Sequence, residues 1–178
     1  MASREVRVVA YDPAWAALFA AERSRLLALL PDCVVDVHHI GSTSVPGLAA
    51  KPIIDILLEV RSLDEIDAHA QAMAALGYSA KGEYGLPRRR FFTKGGAART
   101  HHVHAYVAGD SNVERHVAFR DYLRAHPSVA RDYARLKTAV AASCDNDIDA
   151  YCAGKNDFVN RAEIEALKWR ATAHSPAH

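Results

Sequence analysis

The sequence predicts an α/β (α+β) domain in which a β-sheet is flanked by helices and followed by a helical C-terminal part. Three observations predict this class. Residues 33–77 have the pattern of strand, loop, strand and helix, residues 88–107 that of a β-hairpin, and residues 111–171 carry apolar side chains at helical spacing. Half of the 178 residues are apolar, so the chain can bury the core of one domain.

The first helix is predicted after a short β segment at Val6–Ala10. Asp12 is a typical N-cap, Pro13 is a typical first helical residue, and Pro31 ends the segment. Apolar side chains recur within it at helical spacing and are expected to face the core: Trp15, Leu18, Phe19, Leu26, Leu29 and Leu30.

Two apolar-rich strands are predicted next, at residues 33–40 and 53–60. The second is nearly all apolar, as expected of a strand buried on both faces, except for Asp55. A carboxylate inside a buried strand costs several kcal/mol unless another group ligates it or pairs with it. Asp55 is therefore the first candidate functional residue.

The loop between these strands indicates what Asp55 faces. Gly41 lets the backbone approach a bound group closely, and Ser42 adds a hydroxyl beside exposed amides. A Gly-Ser turn beside a carboxylate can hold a phosphate and its metal ion. The alternative is a tight turn with a capped or salt-bridged Asp55.

A capping box at Ser62–Glu65 predicts a helix that ends at Gly77. After residues 78–81, a hairpin is predicted with strands at Arg88–Thr93 and Thr100–Val107. Alternation along the second of these strands separates two sets of side chains, Val103, Ala105 and Val107 on one face and His102, His104 and Tyr106 on the other.

Histidines two residues apart on a strand lie about 6.6 Å apart along the backbone, close enough to bind one ion. With Asp55 and His39, the histidines His102 and His104 form a mixed carboxylate–imidazole set. Such ligands suit zinc, manganese, iron or nickel better than magnesium. The alternative for each histidine is a hydrogen-bonded structural residue.

Three helices are predicted in the C-terminal part. The first is capped by Ser111 or Asn112, the second runs over residues 128–142, and the third carries the apolar residues that follow Tyr151. Residues 172–178 are predicted to be frayed, which leaves a single domain at residues 1–171.

Composition excludes several classes of protein. The formal net charge is +1, so a broad nucleic-acid-binding surface is not expected. No apolar run approaches the roughly 18 residues of a membrane span, and the first residues lack the apolar core of a signal peptide. The three cysteines, Cys33, Cys144 and Cys152, have no Cys-x-x-Cys spacing, which indicates reduced thiols in a cytoplasmic protein.

The stretch from His39 to Ile56, HIGSTSVPGLAAKPIIDI, resembles the signature of the GrpB family. The likeness covers nearly the whole chain, through Tyr11-Asp-Pro-x-Trp15, Phe119–Arg124, His126-Pro127 and Tyr151-x-x-x-Lys155. That family is placed in the nucleotidyltransferase superfamily, and some members are fused to dephospho-CoA kinase. The resemblance implies a nucleotidyltransferase-like mixed β-sheet.

The superfamily also implies a site with Gly-Ser on one strand, Asp-x-Asp on the next and a third acid elsewhere, which together hold magnesium. Gly41, Ser42 and Asp55 match the first two elements, but position 57 is Leu57. Glu59 is on the same face as Asp55, but four strand residues span roughly 13 Å, too far to share an ion. The third acid is also missing, which argues against two-metal nucleotidyl transfer.

Basic residues form a second candidate layer that can converge on a phosphate or carboxylate. The phosphate-binding candidates are Gly41, Ser42, Lys51, Arg88, Arg90, Arg120 and Lys155, with Arg124 beside them. Arg88 and Arg90 are predicted to share one strand face, where the alternative role is to protect an edge strand from aggregation. The candidate catalytic residues are Asp55 and Ser42.

Three functions remain open. The first is a nucleotidyltransferase-like protein that binds a nucleotide or another phosphorylated small molecule with a divalent metal, either magnesium or a transition metal, and transfers a nucleotidyl or phosphoryl group. The second is a non-catalytic ligand-binding or regulatory module that has lost the second metal carboxylate. The third is a metal-dependent hydrolase that uses the histidines and Asp55.

Overall fold

The computed structural model describes residues 6–173, which form a five-stranded sheet with helices on both faces. The strands are β1 (Val34–Ile40), β2 (Ile54–Val60), β3 (Tyr78–Ala80), β4 (Arg90–Lys94) and β5 (His101–Val107). The helices are α1 (Ala14–Leu29), α2 (Leu63–Ala68), α3 (Ala70–Ala75), α4 (Ser111–Ala125), α5 (Pro127–Ser143) and α6 (Ile148–Ala173).

The strand order is β1-β2-β5-β4-β3. β2 and β5 are parallel and the other neighbouring strands are antiparallel, so the sheet is mixed. The predicted α/β (α+β) class, with flanking helices and a helical C-terminal part, is confirmed. No helix among the described residues is long and apolar enough to cross a membrane.

The first face of the sheet packs against α1, α2 and α3 and contains the main apolar core. Trp15 and Leu26 of α1 reach this core as the helical spacing predicts, whereas Leu18 is half exposed. The buried stripe of α1 consists of Trp15, Glu22 and Leu26, and Leu18 lies at its edge. The prediction for Leu18 was therefore wrong.

Glu22 is a buried charge that is fully paired, with only 1 % of its surface exposed. Its carboxylate accepts hydrogen bonds from the Tyr78 hydroxyl at 2.8 Å and from Lys94 Nζ at 2.7 Å, and Arg25 Nη1 lies 3.2 Å away. These partners offset the cost of removing the carboxylate from water. The cluster ties α1 to β3 and β4.

Several predicted boundaries differ from the structure. The capping box at Ser62 is present, but the helix after it divides into α2 and α3 at His69. The predicted β segment at residues 6–10 is reduced to one bridge, between Val9 and Ala50. Asp110 caps α4 through its side chain, one residue before Ser111 and two before Asn112, the predicted caps.

The helix α6 continues to residue 173, so the first two residues of the predicted frayed segment are helical. The other five, residues 174–178, lie outside the described part of the chain.

The second face of the sheet carries the polar residues and is covered by the C-terminal helices. Alternation along β2 and β5 brings Asp55, Leu57 and Glu59 together with His102 and His104 on this face, as predicted. The parallel register pairs Asp55 with His102 and Leu57 with His104. The sheet itself therefore positions the carboxylate beside both imidazoles.

Candidate functional site

A cleft of about 340 Å³ lies over the second face of the sheet, between the strands and the helices α4, α5 and α6. Seven of the predicted site residues line it: Gly41, Ser42, Lys51, Asp55, His102, His104 and Lys155. The sheet, the glycine loop and the C-terminal helices therefore converge on one cavity, as the sequence predicted for these residues.

Asp55 is the centre of the polar floor of this cleft. Its Oδ1 lies 3.1 Å from His102 Nδ1 and 3.7 Å from His104 Nε2. Burial alone would raise the pKa of Asp55, but the hydrogen bonds and the electrostatic attraction of His102 and His104 outweigh burial and hold that pKa well below its usual range. Asp55 is therefore ionised.

The three ligand atoms of Asp55, His102 and His104 lie within 4.8 Å of one another. Three donors at about 2.1 Å from one ion are separated by roughly 3.0–3.4 Å at octahedral or tetrahedral angles. The separation of 3.1 Å lies within that range, and the separation of 3.7 Å exceeds it by a few tenths of an ångström. Two imidazoles and one carboxylate therefore fit a transition-metal ion.

His102 and His104 each have one ring nitrogen close to Asp55, Nδ1 of His102 and Nε2 of His104. The other ring nitrogens, Nε2 of His102 and Nδ1 of His104, are buried and have no hydrogen-bond partner among the described residues. Burial also lowers the pKa of His104, despite the nearby Asp55. A neutral imidazole is the form that binds a metal ion.

Gly41 is required for this geometry. Its φ is +70°, and a Cβ at this position would lie 2.6 Å from Asp55 Oδ2. Any side chain would therefore displace the carboxylate. The short 3-10 helix that follows, Ser42–Ser44, places Ser42 at the wall of the cleft beside Tyr133.

Lys137 of α5 is a lining residue that sequence reasoning missed. It is 2 % exposed, its Nζ donates a hydrogen bond to the Ala49 carbonyl, and it lies 4.5 Å from the centre of the Tyr133 ring. Burial, with the positive charges of Lys155 and Lys51, lowers the pKa of Lys137 to about 7. The available signal was its position four residues after Tyr133, within the apolar stripe of α5.

Lys51 and Lys155 are two further basic residues in the lining of the cleft. Their ammonium groups lie 4.9 and 5.2 Å from the centre of the Tyr151 ring. The three lysines come from separate elements, the loop before β2, α5 and α6, and all line the same cleft. Lys137 forms no ion pair with a carboxylate of the described residues, so an anion in the cleft would be its natural counter-charge.

The structure does not bring His39 into the metal-ligand cluster. The register pairs His39 with Ile56, so its ring points to the first face, away from Asp55. There it stacks on Phe19 with ring centres 4.6 Å apart, and its Nε2 lies 3.0 Å from Thr43 Oγ1. Its inclusion in a centre with Asp55 was therefore wrong.

The predicted arginines also lie outside the cleft lining. Arg88 precedes β4, with a φ of +65°, and pairs with Asp110, whereas Arg90 begins the strand and pairs with Asp67. The prediction that Arg88 and Arg90 share a strand face was wrong because the strand begins only at Arg90.

Arg120 and Arg124 bind the backbone of the glycine loop and its strand. Arg120 donates a hydrogen bond to the carbonyl of His39, and Arg124 donates two to the carbonyl of Ser44. These contacts attach α4 to the segment that carries Gly41. The two arginines therefore position the loop, whereas the basic residues that line the cleft are lysines.

Leu57 and Glu59 show why a second carboxylate is missing from the cleft. Leu57 is fully buried between β1 and β5, and Glu59 lies 2.6 Å from His38 on the far side of it. Asp55 is therefore the one carboxylate among the described residues that line the cleft.

The comparisons with known proteins cover most of the chain. The family model described as GrpB protein matches residues 5–165. UPF0157 protein YqkA of Bacillus subtilis is 47% identical over 167 residues, which are 94% of this chain but 49% of that protein, so the chain spans about half of this relative.

Among solved structures, the conserved protein GrpB from Enterococcus faecalis has a TM-score of 0.89 at 42% identity, and the match covers 92% of this chain and 99% of that one. A weaker likeness, to terminal uridylyl transferase 4 from Trypanosoma brucei with bound CTP, has a TM-score of 0.46 at 15% identity over 76% of this chain and 42% of that one. With its signature, its family-model match and this close structural relative, the chain belongs to the GrpB family.

Proposed function

We propose that the cleft binds a phosphorylated small molecule of the nucleotide class together with one divalent transition-metal ion. The observation that carries the proposal is that two sets of side chains line one cavity of about 340 Å³. Asp55, His102 and His104 fit a cation, and the three lysines fit an anion.

The lysines favour a phosphate over a neutral ligand. Lys137 is removed from water and lies near two other positive groups, Lys51 and Lys155, which lower its pKa. An oligophosphate would relieve that repulsion and accept hydrogen bonds from the ammonium groups. Ser42 and the amides of the glycine loop would add donors at the end of the cleft nearest Asp55.

The metal ion would be held by Asp55, His102 and His104. When bound, such an ion neutralises phosphate charge and polarises a phosphoryl oxygen. Asp55 would keep its negative charge throughout, because its pKa lies far below neutrality. Ser42 would orient the phosphate beside the ion. The proposed reaction is transfer of a phosphoryl or nucleotidyl group to the oxygen of water or of an acceptor hydroxyl, with the nucleoside diphosphate or pyrophosphate as the leaving group.

A second candidate function is favoured by Leu57. This buried leucine occupies the position where an Asp-x-Asp pair would place its second carboxylate, so a two-metal centre cannot form there. A module that binds the same ligand without chemistry would need only the first carboxylate. The enzyme and the module would bind the same ligand, but only the enzyme would convert it to product.

Binding is tested by thermal unfolding of the purified chain with ATP, CTP and UTP, each with Mn²⁺, Zn²⁺ or Mg²⁺. A ligand that binds the folded state stabilises it by about 2.7 kcal/mol at roughly 100 times its Kd. We expect stabilisation that rises with nucleotide concentration in the wild type and is lost in Asp55→Asn and Lys137→Met. Lys168→Met, at an exposed site on α6, is the matched control and should behave like the wild type.

Absence of any nucleotide-dependent shift with all three metals would overturn the proposal. Release of labelled phosphate or pyrophosphate by the wild type, abolished in Asp55→Asn, would favour the enzyme. Binding without release, under the same conditions, would favour the module.

A further inference from the structure

A second group of metal-ligating side chains lies on the same face of the sheet, at the other end of β2. His38 Nε2 is 2.6 Å from Glu59 Oε1 and 3.6 Å from Asp36 Oδ2, and one ligand atom from each residue lies within 4.8 Å of the others. Alternation along β1 places Asp36 and His38 on one face, and the antiparallel register pairs Asp36 with Glu59. The strands themselves assemble this cluster.

The surroundings of this cluster favour a cation. His38 and Glu59 line a cavity of about 310 Å³, whose other charged residues are Asp110, Glu114 and Arg170. Three carboxylates and one guanidinium therefore line the cavity, and one of the carboxylates, Asp110, is already paired with Arg88. The side chains of His38 and Glu59 are 19% and 18% exposed and that of Asp36 is 52% exposed, so water can reach the cluster and complete a coordination sphere.

An apolar barrier separates this cluster from the cleft around Asp55. Ile40, Leu57, Tyr106 and Val113 pack together as a buried group on the same face. Leu57 is paired with His38 on one side and with His104 on the other, so it stands between the two clusters. Asp55 and Glu59 are four strand residues apart, roughly 13 Å, and cannot share an ion.

We propose that Asp36, His38 and Glu59 bind a second divalent transition-metal ion of the zinc class, with water in the remaining position. One imidazole and two carboxylates supply three protein ligands, the number found in zinc sites that keep an open position. The charges of the two carboxylates balance a divalent ion when the imidazole is neutral. Binding requires His38 and Glu59 to separate by a few tenths of an ångström, from 2.6 Å to roughly 3.0 Å or more.

The test uses Zn²⁺ alone and measures stoichiometry by equilibrium dialysis. We expect His38→Gln and Glu59→Gln each to lower the number of bound ions by one relative to the wild type. His69→Gln is the matched control, because the His69 ring bonds to the Glu65 carbonyl beside the helices on the opposite side of the sheet, and it should leave the number unchanged.

The outcome is independent of the proposed function of the cleft. If the Asp55 centre also binds Zn²⁺, the number falls from two to one, and if it does not, the number falls from one to zero. An unchanged number in a folded His38→Gln protein overturns the second site.

Zn²⁺ binding to His38 can also be measured directly on the wild type, so the test does not depend on whether the variants fold. Proton–nitrogen correlation spectra of the histidine rings, recorded during Zn²⁺ titration, should shift His38 Nε2 to the value of a metal-bound nitrogen. A His38 signal that stays fixed at saturating Zn²⁺ overturns the proposal and leaves an ordinary hydrogen bond between His38 and Glu59.

Discussion

Lys137→Met tests the claim that a buried ammonium lies in the cleft without a carboxylate partner. Burial and the charges of Lys51 and Lys155 lower the pKa of Lys137 from 10.5 to about 7 in the folded chain. Between these two values the unfolded state holds one more proton than the folded state. The free energy of unfolding of the wild type therefore rises with pH across this window.

The expected size follows from the same two values. One pKa unit corresponds to about 1.36 kcal/mol, so the full shift corresponds to at most roughly 4–5 kcal/mol. Between pH 6 and pH 9 the Lys137 contribution to the free energy of unfolding should increase by about 2.5 kcal/mol. The methionine variant has no titrating group here and lacks this contribution, although it leaves the Ala49 carbonyl without its donor, at a cost of about 1–3 kcal/mol at every pH.

The assay is urea unfolding of the wild type and Lys137→Met at several pH values from 6 to 9, with Lys168→Met as the exposed control. Because other groups titrate equally in both proteins, the difference between the two curves isolates Lys137. A wild-type curve that stays parallel to the Lys137→Met curve over this range would refute a lowered pKa and remove the argument for an unbalanced charge in the cleft.

Three further predictions concern stability and the metal cluster. Gly41→Ala should lower the free energy of unfolding by about 1–3 kcal/mol in urea and weaken Zn²⁺ binding in dialysis, because the added Cβ lies 2.6 Å from Asp55 Oδ2. Glu22→Gln should cost about 1–3 kcal/mol in the same unfolding assay, because it removes the charged acceptor of Tyr78 and of the partly exposed Lys94. Burial raises the pKa of Glu22, but bonds from Lys94 and a tyrosine lower it overall, so its contribution is present above the ordinary pKa and lost as the pH falls through the lowered one. Burial lowers the pKa of His39 from 6.5 to about 4, so the wild type should lose up to roughly 3 kcal/mol between pH 6.5 and 4, and His39→Gln should not.

Each of these has a result that contradicts it. Gly41→Ala with unchanged Zn²⁺ affinity would show that the loop does not position Asp55. A Glu22→Gln variant with wild-type stability at neutral pH would show that the charge of Glu22 does not contribute to the free energy of unfolding. Parallel acid unfolding curves for the wild type and His39→Gln would show that His39 is protonated in the folded chain.

The strand pattern was sufficient to predict which sheet face carries the candidate site residues Asp55, His102 and His104. Asp55, His102 and His104 were found because a two-residue period on a strand directly determines which side chains share a face. The same period excludes His39, whose neighbour Ile40 pairs with Asp55. That exclusion required the register, which depends on long-range pairing and not on local sequence.

The helical side of the cleft was predicted less well. Lys137 lies on α5, and its approach to the glycine loop depends on how α5 packs against the sheet, a contact between residues 88 positions apart in the sequence. Arg88 and Arg90 were predicted to bind phosphate because basic residues cluster there in the sequence. In the structure they lie outside the cleft lining and pair with Asp110 and Asp67. A lone lysine in an apolar stripe was a better signal than a run of three basic residues.

Leu57 separates two polar clusters on the second face of the sheet. β2 presents Asp55, Leu57 and Glu59 to one face at alternate positions, and each carboxylate is already bonded to a histidine of a different neighbouring strand. An acid at position 57 would lie about 6.6 Å from both carboxylates along the strand and would add a third negative charge between them. Because Leu57 packs with Ile40, Tyr106 and Val113 instead, the face is divided by hydrocarbon into two separate polar sites. Leu57, which stands where an Asp-x-Asp pair would place its second acid, is therefore the side chain that keeps the two proposed metal centres apart.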